Sequence, residues 1–291
     1  MIAGMARLGS SDPRQLGPYK LHGVLGHGTS GTVYLGRGAA HRGGRKQLAA
    51  VRALRPELLR DRQLRARLRH ELETAGPKLD SPYVAAALGC ELDSETPWTA
   101  SEFVPGVSLA AAVAANGPLP EYAVRALAGA LCHALTALHA SRIVHRDLRP
   151  GNVLLTTGTP RAVDYALGLG RADLGGPDAD GAGPAADVFE LGATLVTAAS
   201  GHQPFAGSIL PSAREDPDLT GVPEALCPAL LACLHKVPES RPHPVELARA
   251  FDLEETAGRP GAEWLPDAVL RQAESFAEAA RGLVGRRLFG R

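Results

Sequence analysis

The sequence predicts an α+β fold in two lobes, strands first and helices second. Three observations carry this expectation. The early part of the chain holds short β-branched and aromatic runs broken by glycine turns. The middle holds apolar stripes at helical spacing, and a Pro-Gly step at 105–106 divides the two regions. At 291 residues the chain is long enough to give both lobes a core.

Each element has its own justification. Residues 1–17 read as a flexible N-terminal segment. "YKLHGVLGHGTSGTVY" (19–34) reads strand, glycine-rich turn, strand, and "QLAAVRAL" (47–54) reads as a further strand. After Pro56 a helix is expected, with Leu64, Leu68, Leu72 and Ala75 on one stripe. "PWTASEFVPG" (97–106) is a strand running into the connection. Beyond it, Val124, Leu127, Leu131, Leu135 and Leu138 follow helical spacing behind Pro120. Val188, Leu191, Leu195 and Ala199 repeat the pattern after a Gly/Ala/Pro/Asp tract from Gly168 to Ala186. These readings set an N-lobe over 18–104, a C-lobe over 105–253 and a helical tail over 254–291. Trp264, Leu265 and Phe276 favour packing of the tail on the larger lobe. A partner-binding or membrane-surface helix is the alternative.

Composition narrows the function. Net charge is zero, so no global field recruits nucleic acid or an anionic membrane. Cys90, Cys132, Cys227 and Cys233 lack C-x-x-C spacing and sit among apolar residues, which suits reduced core thiols better than zinc ligands or disulfides. No apolar run approaches the roughly 18–20 residues of a membrane span. The first residues, with Arg7, Asp12 and Arg14, do not resemble a secretory signal. A soluble cytoplasmic protein is expected. Of 31 basic residues only Lys20, Lys46, Lys78 and Lys236 are lysines.

The chemistry lies in residues taken in order. "GHGTSG" supplies Gly26, Gly28 and Gly31, followed by "TVYL", which favours strand over helix. A hairpin whose glycine turn lets backbone N–H groups approach phosphates fits better than a dinucleotide-binding turn. Glu71 falls on the Leu68–Ala75 stripe, where a carboxylate is costly to bury without a cation. Arg52, set among apolar strand residues, is the candidate partner. The reading of Glu71 as a rim residue stays open. In "HRDLRPGN" (145–152), Asp147 can orient and deprotonate a hydroxyl, while Asn152 and the later Asp164 can hold magnesium.

Together these motifs resemble the protein kinase family, in particular the bacterial eukaryotic-like (Hanks-type) Ser/Thr kinases, from about Tyr19 to Phe251. The resemblance implies a bilobal kinase-like fold, ATP and Mg2+ as cofactors, and a protein partner or substrate of unknown identity. It implies phosphate contacts at Gly26, Gly28 and Gly31, and adenine contacts at Val33, Ala50 and the backbone of Glu102 and Val104. It also implies a catalytic set of Asp147, Arg52, Glu71 and Arg149, metal ligands at Asn152 and Asp164, and Asp187 as the helix residue that anchors the catalytic loop.

Four departures shape the expected function. Arg52 stands where the family has the strand Lys, and Lys46 lies too far along the strand to replace it, roughly 20 Å at ~3.3 Å per residue. Arg149 replaces the catalytic-loop Lys. Ala166 replaces the Gly after the metal-binding Asp and aromatic. The span from Asp164 to Asp187 is about a dozen residues short of the family pattern, with no A-P-E motif. Between Ala166 and Ala186 there is no Ser, Thr or Tyr for Arg146 to meet once phosphorylated, though Asp173, Asp178 or Asp180 offer weak substitutes. Arg241 has lost the A-P-E glutamate as its partner. The expected function is therefore an ATP–Mg-binding kinase relative with impaired or lost transfer, a pseudokinase. An active Ser/Thr kinase tolerating the arginine swaps and a small-molecule phosphotransferase are the alternatives. Arg55, Arg60, Arg62, Arg65, Arg67 and Arg69 add a basic cluster, read as a solvated helix face or an acidic-partner surface.

Overall fold

Alternating burial along the strands of the early chain builds one six-stranded antiparallel sheet. The computed structural model describes residues 5–39, 44–166, 183–205, 215–251 and 264–285. The chain divides into two units: Met1–Asp80, Ala85–Gly106 and Glu274–Arg291 form unit 1, and Ser81–Val84 with Val107–Ala273 form unit 2.

Unit 1 contains β1 (Gln15–Leu16), β2 (Tyr19–Gly28), β3 (Gly31–Gly38), β4 (Gln47–Leu54), α1 (Arg62–Arg69), β5 (Ala87–Glu91) and β6 (Trp98–Glu102). The strand order is β1-β2-β3-β4-β6-β5. Because side chains alternate across a strand, the pairs Val33–Arg52 and Leu35–Ala50 place these four side chains on one face. The opposite face buries Tyr19, Leu21, Val24, Tyr34, Ala49 and Val51 in one cluster. Asp61 caps α1 by accepting from the backbone N–H of Gln63 and Leu64. The helix then loosens into a π turn over His70–Ala75, which carries Glu71.

The expected flexible lead-in is corrected over residues 5–16. Ala6 and Val24 exchange backbone hydrogen bonds of 2.9 and 2.8 Å, and Leu16 is buried in β1. Tyr34 Oη donates to Asp12 Oδ1 at 3.0 Å, tying the segment to β3. The free edge of β2 captures the segment.

Unit 2 holds β7 (Val107–Ser108), α2 (Leu109–Asn116), α3 (Glu121–Ala140), β8 (Val153–Leu155), β9 (Arg161–Ala162), α4 (Pro184–Ser200), α5 (Cys227–Cys233) and α6 (Pro244–Ala250). β7, β8 and β9 form a small antiparallel sheet. The stripe Val124, Leu127, Leu131, Leu135 and Leu138 is fully buried in α3, and Val188, Leu191 and Leu195 are buried in α4. By length and composition α3 also matches a membrane span, which qualifies the expectation that no apolar run approaches one. Its leucines and Val124 are buried in this core, while Tyr122 is exposed.

The tail helix α7 (Asp267–Val284) qualifies the packing expectation. Leu265 is buried, and Trp264 is seated on unit 2, where its Nε1 donates to Gly158 O at 2.5 Å. Phe276 is not seated there: with Ala280, Leu283 and Val284 it packs on Leu25, Leu35, Leu48 and Phe103 of unit 1. Periodicity identified the apolar stripe but not the surface that covers it. The four cysteines carry no disulfide, and Cys132 and Cys233 are buried. Burial raises the Cys233 thiol to about 12, so it stays a protonated core residue.

Candidate active site

In unit 1, β2 and β3 meet at a two-residue turn, Thr29–Ser30, flanked by the pair Gly28–Gly31. Gly31 adopts φ +145°, and a Cβ there would lie 1.8 Å from the Ala53 carbonyl oxygen. Only glycine fits so close to β4. Gly26 differs, since a Cβ there would meet nothing within 4 Å. Arg52 lies beneath the turn, 7 % exposed, and its Nη1 donates to Ser30 Oγ at 3.0 Å. Arg55 adds a bond from Nη2 to Gly28 O at 3.4 Å. The two arginines therefore fasten the glycine turn to β4 and the residue after it, a role for Arg55 and Ser30 that sequence reading missed.

Glu71 is 4 % exposed, which rules out the rim reading. Both Glu71 and Arg52 are engaged by partners, as charges so deep require. Val33 and Ala50 share the sheet face of Arg52 and are half-buried. Glu102, closing β6, donates its backbone N–H to Ala86 O at 2.8 Å, and Val104 is buried just beyond. The basic cluster is partly neutralised within the unit: Arg65 and Arg69 pair with Asp93 at 3.2 and 2.6 Å.

In unit 2 the segment His145–Asn152 leaves the end of α3 and is held by one face of α4. Asp187, fully buried, accepts from His139 Nε2 and from the backbone N–H of His145 and Arg146, each at 2.8 Å. Glu190 Oε2 accepts from Leu148 N at 2.6 Å, and Thr194 Oγ1 donates to Leu148 O at 2.7 Å. Residues 187, 190 and 194 follow the i, i+3, i+7 spacing of one helix face. That polar stripe was the available signal for Glu190 and Thr194, which sequence reading did not single out.

The loop brings Asp147, Arg149 and Asn152 together. Asn152 Nδ2 donates to both Asp147 O and Asp147 Oδ2 at 2.8 Å, and Arg149 Nε reaches the same Oδ2 at 3.1 Å. Two donors thus fill the lone-pair directions of that oxygen. Asp164 is placed by backbone bonds on either side of it: Val163 N to Asn152 O at 3.0 Å and Ala166 N to His145 O at 3.1 Å. Burial pushes the His145 imidazole below its usual range, against the upward pull of Asp187, Asp147 and Asp164, so the ring is neutral at pH 7. Tyr165 is buried, as expected for the aromatic after the acid.

Ala166 adopts φ +67°, so the conformation that suits glycine persists in its absence. Ala166→Gly should therefore raise the stability of the chain by about 0.5–1 kcal/mol in urea unfolding. An unchanged midpoint would mean that the surrounding structure relieves the strain. Arg241 donates Nε to His235 O and Nη1 to Ala185 O, both at 2.8 Å. Its guanidinium also lies 4.9 Å from the Phe189 ring centroid. The shortened tract at 167–182, including Asp173, Asp178 and Asp180, lies outside the described residues.

A strand-built unit with a glycine hairpin, and a helical unit with a pinned acid–amide loop, define a protein-kinase-like fold. The family model for the protein kinase domain matches residues 19–171. Serine/threonine-protein kinase AfsK of Streptomyces coelicolor is 36 % identical over 264 residues, covering 83 % of this chain and 32 % of AfsK. Probable serine/threonine-protein kinase PkwA of Thermomonospora curvata is 33 % identical over 277 residues, covering 88 % of this chain and 36 % of PkwA. Among solved structures, Rad53 1–466 in complex with AMP-PNP matches with a TM-score of 0.63 at 22 % identity, covering 80 % of this chain and 64 % of that one. The chain belongs to the protein kinase family, among the Hanks-type bacterial Ser/Thr kinases. It spans about a third of the length of the first curated relatives it matches.

Proposed function

We propose that this protein binds ATP–Mg2+ and transfers the γ-phosphoryl group to protein hydroxyls poorly or not at all. In this reading Gly26, Gly28 and Gly31 present backbone N–H groups to the phosphates, and Arg52, paired with Glu71, supplies charge beneath them. Val33, Ala50 and the backbone of Glu102 and Val104 receive the adenine. Asn152 and Asp164 suit magnesium because both offer oxygen; the Nδ2 of Asn152 is already bonded to Asp147, which leaves Oδ1 as its metal ligand. Bound Mg–ATP would supply the transferable phosphoryl group and neutralise its charge. Asp147 orients the acceptor hydroxyl and takes its proton. The absence of disulfides fits a reducing cytoplasm.

The observation that carries the impairment is Arg149 Nε on Asp147 Oδ2. The family's lysine would offer a mobile ammonium here, whereas the arginine fork shares an already bonded oxygen of the base. Arg52 repeats the substitution, with its fork fastened to Ser30. The active-kinase alternative is favoured by one observation, the intact anchoring of the loop on Asp187.

Thermal unfolding with ATP tests the nucleotide reading. Saturating ATP with magnesium should stabilise the chain by about 1.5–3 kcal/mol, and Asp164→Ala or chelation should abolish the shift. No shift at millimolar ATP would remove nucleotide binding from the account. Radiolabel transfer to generic protein substrates tests the impairment. The natural sequence should give near-background transfer, and Arg52→Lys with Arg149→Lys should raise it roughly tenfold or more. Vigorous transfer by the natural sequence would establish the active-kinase reading instead.

A further inference from the structure

Away from the motif residues, a cavity of about 470 Å³ opens in unit 1 between the N-terminal segment, β2 and the last turn of α7. Arg7, Arg14, Lys20 and His22 line it, and no Asp or Glu does. Among the described residues none of these four forms an ion pair; Arg14 reaches only the backbone oxygen of Gly9, at 3.3 Å. Leu8, Leu21 and Leu283 supply an apolar wall. The positive field is felt within the site: after burial, Lys20 and Arg37 are what hold the His22 imidazole below its usual range.

A second observation is independent of charge. Gly282 lies in α7 and lines the cavity, although glycine is among the poorest helix formers. A Cβ at this position would meet nothing within 4 Å, so crowding by neighbours does not require the glycine. What the missing side chain leaves is space beside the cations.

We propose that this cavity binds a phosphate monoester dianion carried on an apolar body, as in a phosphorylated Ser or Thr flanked by apolar residues. Two arginines and a lysine match a group with two negative charges and three acceptor oxygens, and Arg forks suit it better than a single carboxylate. The volume falls within the ~300–1,000 Å³ of ligand sites and exceeds what bare phosphate fills, and the leucines give the remainder an apolar lining. This site goes beyond the nucleotide reading and does not depend on it.

The test uses the full chain without nucleotide. The probe is a fluorescent peptide with phosphothreonine between two leucines, compared with its unphosphorylated form and with inorganic phosphate as competitor. Binding should require the phosphoryl group, weaken with added salt, and fall roughly tenfold or more in Arg14→Gln with Lys20→Gln. In Gly282→Tyr, whose ring fills the open space, binding should be lost while the melting temperature does not fall. Competition by inorganic phosphate at the same concentration as unlabelled phosphopeptide would assign the site to free phosphate; selective competition by the peptide assigns it to a phosphorylated residue. No phosphate-dependent binding, or binding that survives both variants, overturns the proposal.

Discussion

Asp187→Ala is expected to destabilise the protein by about 3–5 kcal/mol, the range for removing one partner from a buried charged network. The carboxylate is fully buried and accepts three donors: the His139 ring and the two backbone N–H groups that open the catalytic loop. Alanine leaves all three without an acceptor at a fully buried position. Arg146 is also held at φ +65°, a left-handed conformation that its neighbours must maintain. Asp187→Asn should cost less, because its amide oxygen still accepts, but its NH2 group then faces a donor. Urea unfolding followed by circular dichroism measures both. A loss below about 1 kcal/mol for Asp187→Ala would show that the loop is anchored by Glu190 and Thr194 instead.

Gly31→Ala should be the second large effect, about 3 kcal/mol or more, or a displaced hairpin. The added methyl would lie 1.8 Å from the Ala53 carbonyl oxygen, and φ +145° is a region that side chains resist. That oxygen belongs to the backbone of β4, so it cannot swing aside as a flexible side chain could. Gly26→Ala is the matched control, since its Cβ would meet open space; its stability should change by less than about 0.5 kcal/mol. Gly28 is intermediate: a Cβ there would lie 3.4 Å from Arg52 Nη1, the far end of a movable side chain. Chemical unfolding of the three variants should rank them Gly31, Gly28, Gly26. Equal losses at Gly31 and Gly26 would contradict the close approach to β4.

Much of the site was legible as spacing. The glycine turn followed by a strand-favouring run, the arginine in the next strand, and the acid on an apolar helical stripe are each read from local pattern. So are the acid and amide five residues apart around Pro-Gly. Burial then separated readings that pattern left open: Glu71 at 4 % exposure is a core carboxylate, not a rim residue. The need for a left-handed residue at 166 was also legible, because a family glycine had become alanine and the backbone kept the conformation.

Other features needed distant parts of the chain. Glu190 and Thr194 carry Leu148 across more than forty residues of sequence, and Arg241 reaches the Phe189 ring and the carbonyls of His235 and Ala185. Residues 5–16 fall within the segment read as a flexible lead-in, yet they pair along the edge of β2. Phe276 marks an apolar stripe whose cover, Leu35 and Phe103, lies far back along the chain.

By itself, the sequence determined the order of strands and helices, the kinase motif set and the arginine substitutions within it. These depend on spacing along a few turns or strands, which local geometry converts directly into shared faces. Only the tertiary structure decided which of three similar glycines lies too close to β4 for a side chain, which donors occupy Asp147, and what residues 5–16 and the last turns of α7 pack against. Those outcomes depend on close approach between segments remote in sequence, and periodicity shows that a face will be covered without showing what covers it.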